Sequence, residues 1–139
     1  MLNCNRRHIH VTCGIIERDG LVLAAQRSVA MSMPLKWEFP GGKIKSSESL
    51  EDCLRRELVE ELGVEIVISQ PLPPTTYEYP SFTVSLYPFI CSIAAGEIKL
   101  NEHAAVTWLL PGELYVLDWA EADLPVLAIY CQQLEKVRS

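Results

Sequence analysis

The stretch Gly42–Val64, GKIKSSESLEDCLRRELVEELGV, concentrates both the charge and the periodicity of this chain. Leu50, Leu54, Leu58 and Leu62 recur every four residues, the spacing of one helix face. Ser46 or Ser47 offers an N-cap, and Gly63 stands where a left-handed residue commonly ends a helix. The spacing therefore predicts a helix of about four turns. Residues 48–65 hold seven acids (Glu48, Glu51, Asp52, Glu57, Glu60, Glu61, Glu65) and two bases (Arg55, Arg56), so this segment carries −5 of the chain's net charge of −6. At about 100° per residue, Glu57, Glu60 and Glu61 fall within an arc of about 100°, beside the arc of Leu54, Leu58 and Leu62. Like charges at i,i+4, here Glu57 and Glu61, destabilise a helix by about 0.2–0.5 kcal/mol, and a bound divalent cation would reverse that sign. Hard cations such as Mg²⁺ take oxygen ligands and complete their shell with water and substrate phosphates. Spacing alone leaves two readings open, a solvated acidic face and a cation site.

The 139 residues, 49% hydrophobic and 22% charged, suit one compact soluble domain spanning 1–139 and exclude a disordered or fibrous chain. The acidic balance makes duplex nucleic acid an unsuitable partner. The longest apolar run, Phe82 to Ala95, is too short for a membrane helix and contains Pro88. The N-terminal MLNCNRRHIH has no apolar signal core. The five cysteines (Cys4, Cys13, Cys53, Cys91, Cys131) form no CxxC pair and read as buried small hydrophobes in a reducing cytoplasm.

Outward from the acidic segment, Ile9 to Arg18 reads as a buried strand. Asp19-Gly20 turns it into a hairpin partner, Leu21 to Arg27. Ser28 to Lys36 reads as a loop, with Met31 and Met33 as candidates to cover a ligand. Trp37 to Phe39 is a short extended piece ended by Pro40-Gly41-Gly42. Val64 to Ser69, Thr75 to Tyr79, Phe82 to Ala95 and Ala104 to Leu110 read as further strands, and Pro71, Pro73 and Pro74 mark a loop. A second helix is predicted over Asp123 to Val137, capped by Asp123, with Leu127, Tyr130, Leu134 and Val137 as its apolar stripe.

Gly42, Glu48 and the run Arg56-Glu57-Leu58-Val59-Glu60-Glu61-Leu62-Gly63-Val64 match all nine specified positions of the pattern GX5EX7REUXEEXGU, with U aliphatic. The chain thereby resembles the Nudix hydrolases. Lys36-Trp37-Glu38-Phe39-Pro40-Gly41-Gly42-Lys43 is similar to the MutT-like branch, whose members act on nucleoside triphosphates. The resemblance implies an α/β fold, an α/β/α sandwich around a mixed sheet. It implies Mg²⁺ or Mn²⁺ as cofactor and hydrolysis of a small-molecule nucleoside triphosphate to a monophosphate and pyrophosphate. No nucleic acid polymer or membrane is expected as a partner, and the expected state is a monomer or weak homodimer.

Matched by residue, the resemblance implies metal ligation by Glu57, Glu60 and Glu61, joined by the Gly42 carbonyl. It implies an orienting role for Arg56, which pairs with a glutamate, and a structural role for Glu48. Arg27 resembles the phosphate-binding arginine. Glu102, six residues before Trp108, resembles an additional metal ligand or general base, with Glu57 the first choice of base. Residues 1–45 carry seven bases against three acids, a net charge of +4 suited to facing a triphosphate, and Lys43 belongs to that group. Asp123 aligns with the position at which MutT-like enzymes read the base. An ionised carboxylate only accepts hydrogen bonds and so suits an exocyclic amine, as at cytosine N4 or adenine N6. Family members that act on CTP or methylated dCTP carry a similar Asp-x-Pro, so the resemblance implies a cytosine nucleotide, although Asp is also a preferred cap. Phe39, Tyr79 and Phe82 are candidates to stack on the base, or are core. The alternatives are an 8-oxo-dGTP sanitising enzyme of strict MutT type, an ADP-ribose or diphosphosugar hydrolase, and a non-catalytic nucleotide-binding module.

Overall fold

A computed structural model describes residues 6–138, so the reading of Cys4 as buried lies outside the described residues. Eight strands form one mixed sheet: β1 (Arg7–Arg18), β2 (Leu21–Gln26), β3 (Trp37–Glu38), β4 (Gly41–Lys43), β5 (Glu65–Pro71), β6 (Thr75–Glu78), β7 (Phe82–Ala95) and β8 (Ala105–Leu109). The central path runs β3-β2-β1-β7-β5, with β4 on β1, β6 on β7 and β8 on β2. Only β1 and β7 pair in parallel, from Arg7 opposite Phe82 to Ile16 opposite Cys91; the other named pairs are antiparallel.

Strand alternation sends neighbouring side chains to opposite faces. Ile15 and Val22 join a core under helix α2 (Leu124–Arg138), while Ile16 and Leu23 join a second core under helix α1 (Leu50–Leu62). A helix on each face of a mixed sheet is the expected sandwich. Leu54, Leu58 and Leu62 are each 0% exposed, and a fully buried leucine contributes about 1.5–3 kcal/mol.

Several boundaries differ from expectation. The α1 cap is Ser49, whose hydroxyl accepts the Asp52 N–H, and not Ser46 or Ser47. Ser47 has φ +69°, and Glu48 accepts the Lys45 N–H, so this turn ends one residue before the cap. Gly63 closes the helix at φ +71° and donates to Leu58 and Val59 carbonyls, as predicted. Pro40-Gly41-Gly42 is expected to end the extended piece, but Gly41–Lys43 forms strand β4, and Pro111–Val116 is a 3-10 helix. Helix α2 begins at Leu124, because Asp123 ends a short 3-10 turn and its side chain is engaged elsewhere. Its stripe also shifts: Val137 is 78% exposed, and Val126 is buried with Leu127 and Tyr130. Cys13, Cys53 and Cys91 are buried thiols, whereas Cys131 is only partly covered. Among the described residues no helix is long and apolar enough to cross a membrane.

Candidate active site

A cavity of about 440 Å³ lies on the α2 face of the sheet. The β1–β7 register sets Arg7 opposite Phe82, Ile9 opposite Val84 and Val11 opposite Leu86 along its wall, and Cys13 continues the β1 side. β4 pairs with β1 at Val11–Cys13, which carries Gly42 and Lys43 into the same wall. Through β4 the cavity reaches α1, where Glu61 also lines it.

Glu61 is 5% exposed, and its Oε1 has no hydrogen-bond partner among the described residues. Burial, followed by the fields of Glu38, Glu57 and Glu102, pushes its carboxyl up to about 9 from 4.5. It thus lies inside the buried face and not at its border. Asn101 holds the next carboxylate nearby: its side-chain amide donates to the Glu60 carbonyl at 3.0 Å and its N–H to the Glu61 carbonyl at 3.2 Å. Glu102, the following residue, is exposed.

Arg56 organises the other carboxylates. It takes Glu48 through two contacts, Nε to Oε2 at 2.5 Å and Nη2 to Oε1 at 3.0 Å. Its Nη1 donates to Glu57 at 2.8 Å and to Glu60 at 3.0 Å, and Nη2 reaches the Lys43 carbonyl. The Arg56 guanidinium and the Lys45 amide hold Glu48 down at about 2. The Glu57 carboxyl lies against Gly42: a Cβ there would come within 2.2 Å of Glu57 Cδ, so only glycine permits this approach. Among the described residues no three carboxylate, imidazole or thiol side chains already stand together at metal-ligand spacing. The residues nonetheless fit a hard divalent cation. Glu61 keeps a buried, unpartnered oxygen whose carboxyl feels the charges of Glu38, Glu57 and Glu102, and hard cations take oxygen ligands.

At the other end of the cavity, Asp123 Oδ2 accepts the Phe39 N–H at 2.9 Å across 84 positions of chain. Burial, and then the field of Glu38, raises the Asp123 carboxyl well above its usual range, while the Phe39 amide and Arg27 oppose the shift. Phe39 is 3% exposed and its ring packs 4.8 Å from Trp119, so the ring belongs to the core. Tyr79 and Phe82 are half-buried and stack at 4.9 Å with a 22° interplanar angle. The Tyr79 hydroxyl accepts the Ala122 N–H, which ties this pair to the Asp123 turn.

Arg27, Lys43, Phe39, Tyr79, Phe82 and Asp123 therefore share one cavity with Gly42 and Glu61. Glu57, Glu60, Arg56 and Glu102 are not among its lining: Glu57 lies against Gly42, Arg56 joins Glu57 to Glu60, and Glu102 is exposed. The sequence reading passed over Glu38 and His103. Glu38 Oε1 lies 2.6 Å from Arg27 Nη1, and its Oε2 lies 2.8 Å from His103 Nε2. A charged side chain between Trp37 and Phe39 was the available signal for Glu38. For His103, one loop residue between Glu102 and Ala104, there was none.

The sandwich thus sets an acidic helix behind Gly42 and beside a cavity of about 440 Å³ that also holds Arg27 and Lys43, so carboxylates and cations meet at one site. The NUDIX domain family matches residues 6–128, and the chain belongs to that family of hydrolases. It is 35% identical over 122 residues to the CTP pyrophosphohydrolase of Escherichia coli (strain K12), covering 88% of this chain and 90% of that protein. It is 33% identical over 114 residues to a putative 8-oxo-dGTP diphosphatase 2 of Mycobacterium tuberculosis (strain H37Rv), covering 81% of each. The fold matches the crystal structure of a MutT protein from Methanosarcina mazei Go1 with TM-score 0.84 and 20% identity, over 99% of this chain and 100% of that one. Nudix hydrolases generally use divalent metal ions.

Proposed function

We propose that the chain acts as one Nudix unit that hydrolyses a nucleoside triphosphate to a monophosphate and pyrophosphate, with preference for a cytosine nucleotide. One observation carries the reading. A single cavity is lined by Asp123, by Arg27 and Lys43, and by Gly42 and Glu61. These supply a base-reading group, partners for phosphate charge and oxygen ligands for a cation. The kinship with a CTP pyrophosphohydrolase supports cytosine.

Glu57, Glu60, Glu61, Glu102 and the Gly42 carbonyl are the groups that would hold Mg²⁺ or Mn²⁺. A bound cation would supply polarisation of phosphoryl oxygens and a lowered pKa for the attacking water. Glu57, held against Gly42, is the first choice to take the proton from that water, and Glu102 the second. Arg27 and Lys43 meet the charge of the departing pyrophosphate. Tyr79 and Phe82 offer an aromatic surface to the base.

One observation favours a second reading, an 8-oxo-dGTP sanitising enzyme. A buried Asp123 pushed towards its neutral acid can donate as well as accept, as an asparagine would. Turnover of CTP, dCTP, 5-methyl-dCTP, 8-oxo-dGTP and ADP-ribose with Mg²⁺, with and without chelator, tests both readings. Cytosine triphosphates are expected to give the highest kcat/KM, with pyrophosphate as product. Fastest turnover of 8-oxo-dGTP selects the second reading, and chelator-insensitive or absent turnover of every triphosphate sinks both.

A further inference from the structure

Arg27, at the end of β2, Glu38, on β3, and His103, in the loop before β8, converge from three segments. A guanidinium has five N–H donors. Among the described residues three are engaged: Nε by the Ser32 carbonyl at 2.6 Å, Nη2 by Ser32 Oγ at 2.9 Å, and Nη1 by Glu38 Oε1 at 2.6 Å. One N–H on each Nη nitrogen remains, a pair suited to two oxygens of a phosphate.

Glu38 needs explaining at this place. A carboxylate against a phosphate-binding arginine opposes phosphate by charge, so charge alone gives no reason for it. Its geometry does. One oxygen is held by Arg27 and the other meets His103 Nε2 at 2.8 Å, which fixes the carboxylate at both ends. A carboxylate accepts, so Nε2 carries the proton in this contact. The His103 side chain is 0% exposed, and its Nδ1 has no hydrogen-bond partner among the described residues. A half-satisfied buried imidazole costs stability that an apolar side chain would not. What it secures is the orientation of Glu38.

We propose that His103, acting through Glu38, is a positioning residue for Arg27, setting the plane in which the remaining N–H pair meets the triphosphate. This rests on the reading that Arg27 binds phosphate. Removal of the partners that orient metal ligands costs about 10–100-fold, and loss of the partner that orients Arg27 is expected at the lower end of that range.

The test is steady-state kinetics with Mg²⁺ on the triphosphate turned over fastest in the panel above, with inorganic pyrophosphate as inhibitor. For His103→Leu, the triphosphate KM and the pyrophosphate inhibition constant should both rise about 10-fold. The Mg²⁺ concentration for half-activation should stay unchanged, whereas general damage around α1 would move it. His103→Gln, which keeps an N–H donor near the Nε2 position, should restore both constants. In an Arg27→Ala background, His103→Leu should add nothing, because coupled residues are non-additive. If His103→Leu does not fold, His103→Asn, whose amide is too short to reach Glu38, takes its place. Unchanged pyrophosphate inhibition, or an equal penalty with and without Arg27, overturns the positioning role while leaving phosphate binding by Arg27 intact. Wild-type kinetics for Arg27→Ala would instead remove the phosphate-binding reading itself, and the proposal with it.

Discussion

The carboxylate end of the cavity and its base end differ in how much of the chain each requires. Gly42, Glu48, Arg56, Glu57, Glu60 and Glu61 all lie within the 23 residues of Gly42–Val64. One turn, one helix and one arginine assemble them. The Asp123 end, the proposed base end, draws Phe39 and Tyr79 from just past β3 and β6, Phe82 from β7, and Ala122 and Asp123 from a 3-10 turn, and its Asp123–Phe39 hydrogen bond spans 84 residues. Local geometry sets most of the first end, to which the β1–β4 pairing adds Gly42 and the loop before β8 adds Glu102, whereas the second exists only once the sheet has formed. Substitutions at the carboxylate end are therefore expected to affect chemistry, and those at the base end to affect selectivity.

The sharpest break comes at Glu57. Glu57→Gln is expected to lower kcat by about 10²–10⁴-fold, as removal of a general base does. Near wild-type turnover at saturating Mg²⁺ would pass the role to Glu102. Gly42→Ala comes next. Its Cβ would meet Glu57 Cδ at 2.2 Å, so the carboxyl must move. A misplacement on that scale costs about 10²-fold in kcat/KM. A thermal melt should remain close to wild type, because the displaced atoms end a side chain.

At the base end, Asp123→Asn should leave kcat within a few-fold and change the kcat/KM ratio of dCTP over 8-oxo-dGTP by about 10-fold, the scale of one base contact. An unchanged ratio would reduce Asp123 to a structural bond with Phe39. The smallest effect is on stability. The folded Asp123 carboxyl is raised above its ordinary 3.8, chiefly by burial. Below that value both folded and unfolded chains hold the proton. As pH rises past it, the unfolded chain releases a proton that the folded chain keeps, so stability falls with pH until the folded carboxyl ionises. Urea unfolding of wild type and Asp123→Asn between pH 4 and 8 should show the variant gaining relative stability as pH rises. A pH-independent difference would mean that Asp123 is an ordinary carboxylate.

Helix α1 was legible because its signals are local: the leucine repeat, the acidic arc and Gly63. Strand β7 was legible over its full length for the same reason, as an apolar run of β-formers. The α1 cap was misread because Ser46, Ser47 and Ser49 are equivalent until Glu48 is bound by the Lys45 amide and Arg56. That the Phe39 ring packs on Trp119 as well as lining the cavity depends on a segment 80 positions away. His103 acquires a role only through Glu38, 65 positions away.

The sequence by itself determined that an acidic helix follows Gly41-Gly42, carries the carboxylates of Glu57, Glu60 and Glu61, and buries a leucine face. Periodicity and caps act over a few residues, so no other part of the chain is needed to specify them. Only the tertiary structure decided which carboxyls become unusual. Glu61 and Asp123 are both raised by burial and by the same Glu38. Desolvation and a neighbour's field depend on packing between distant segments, and no pattern along the chain records them.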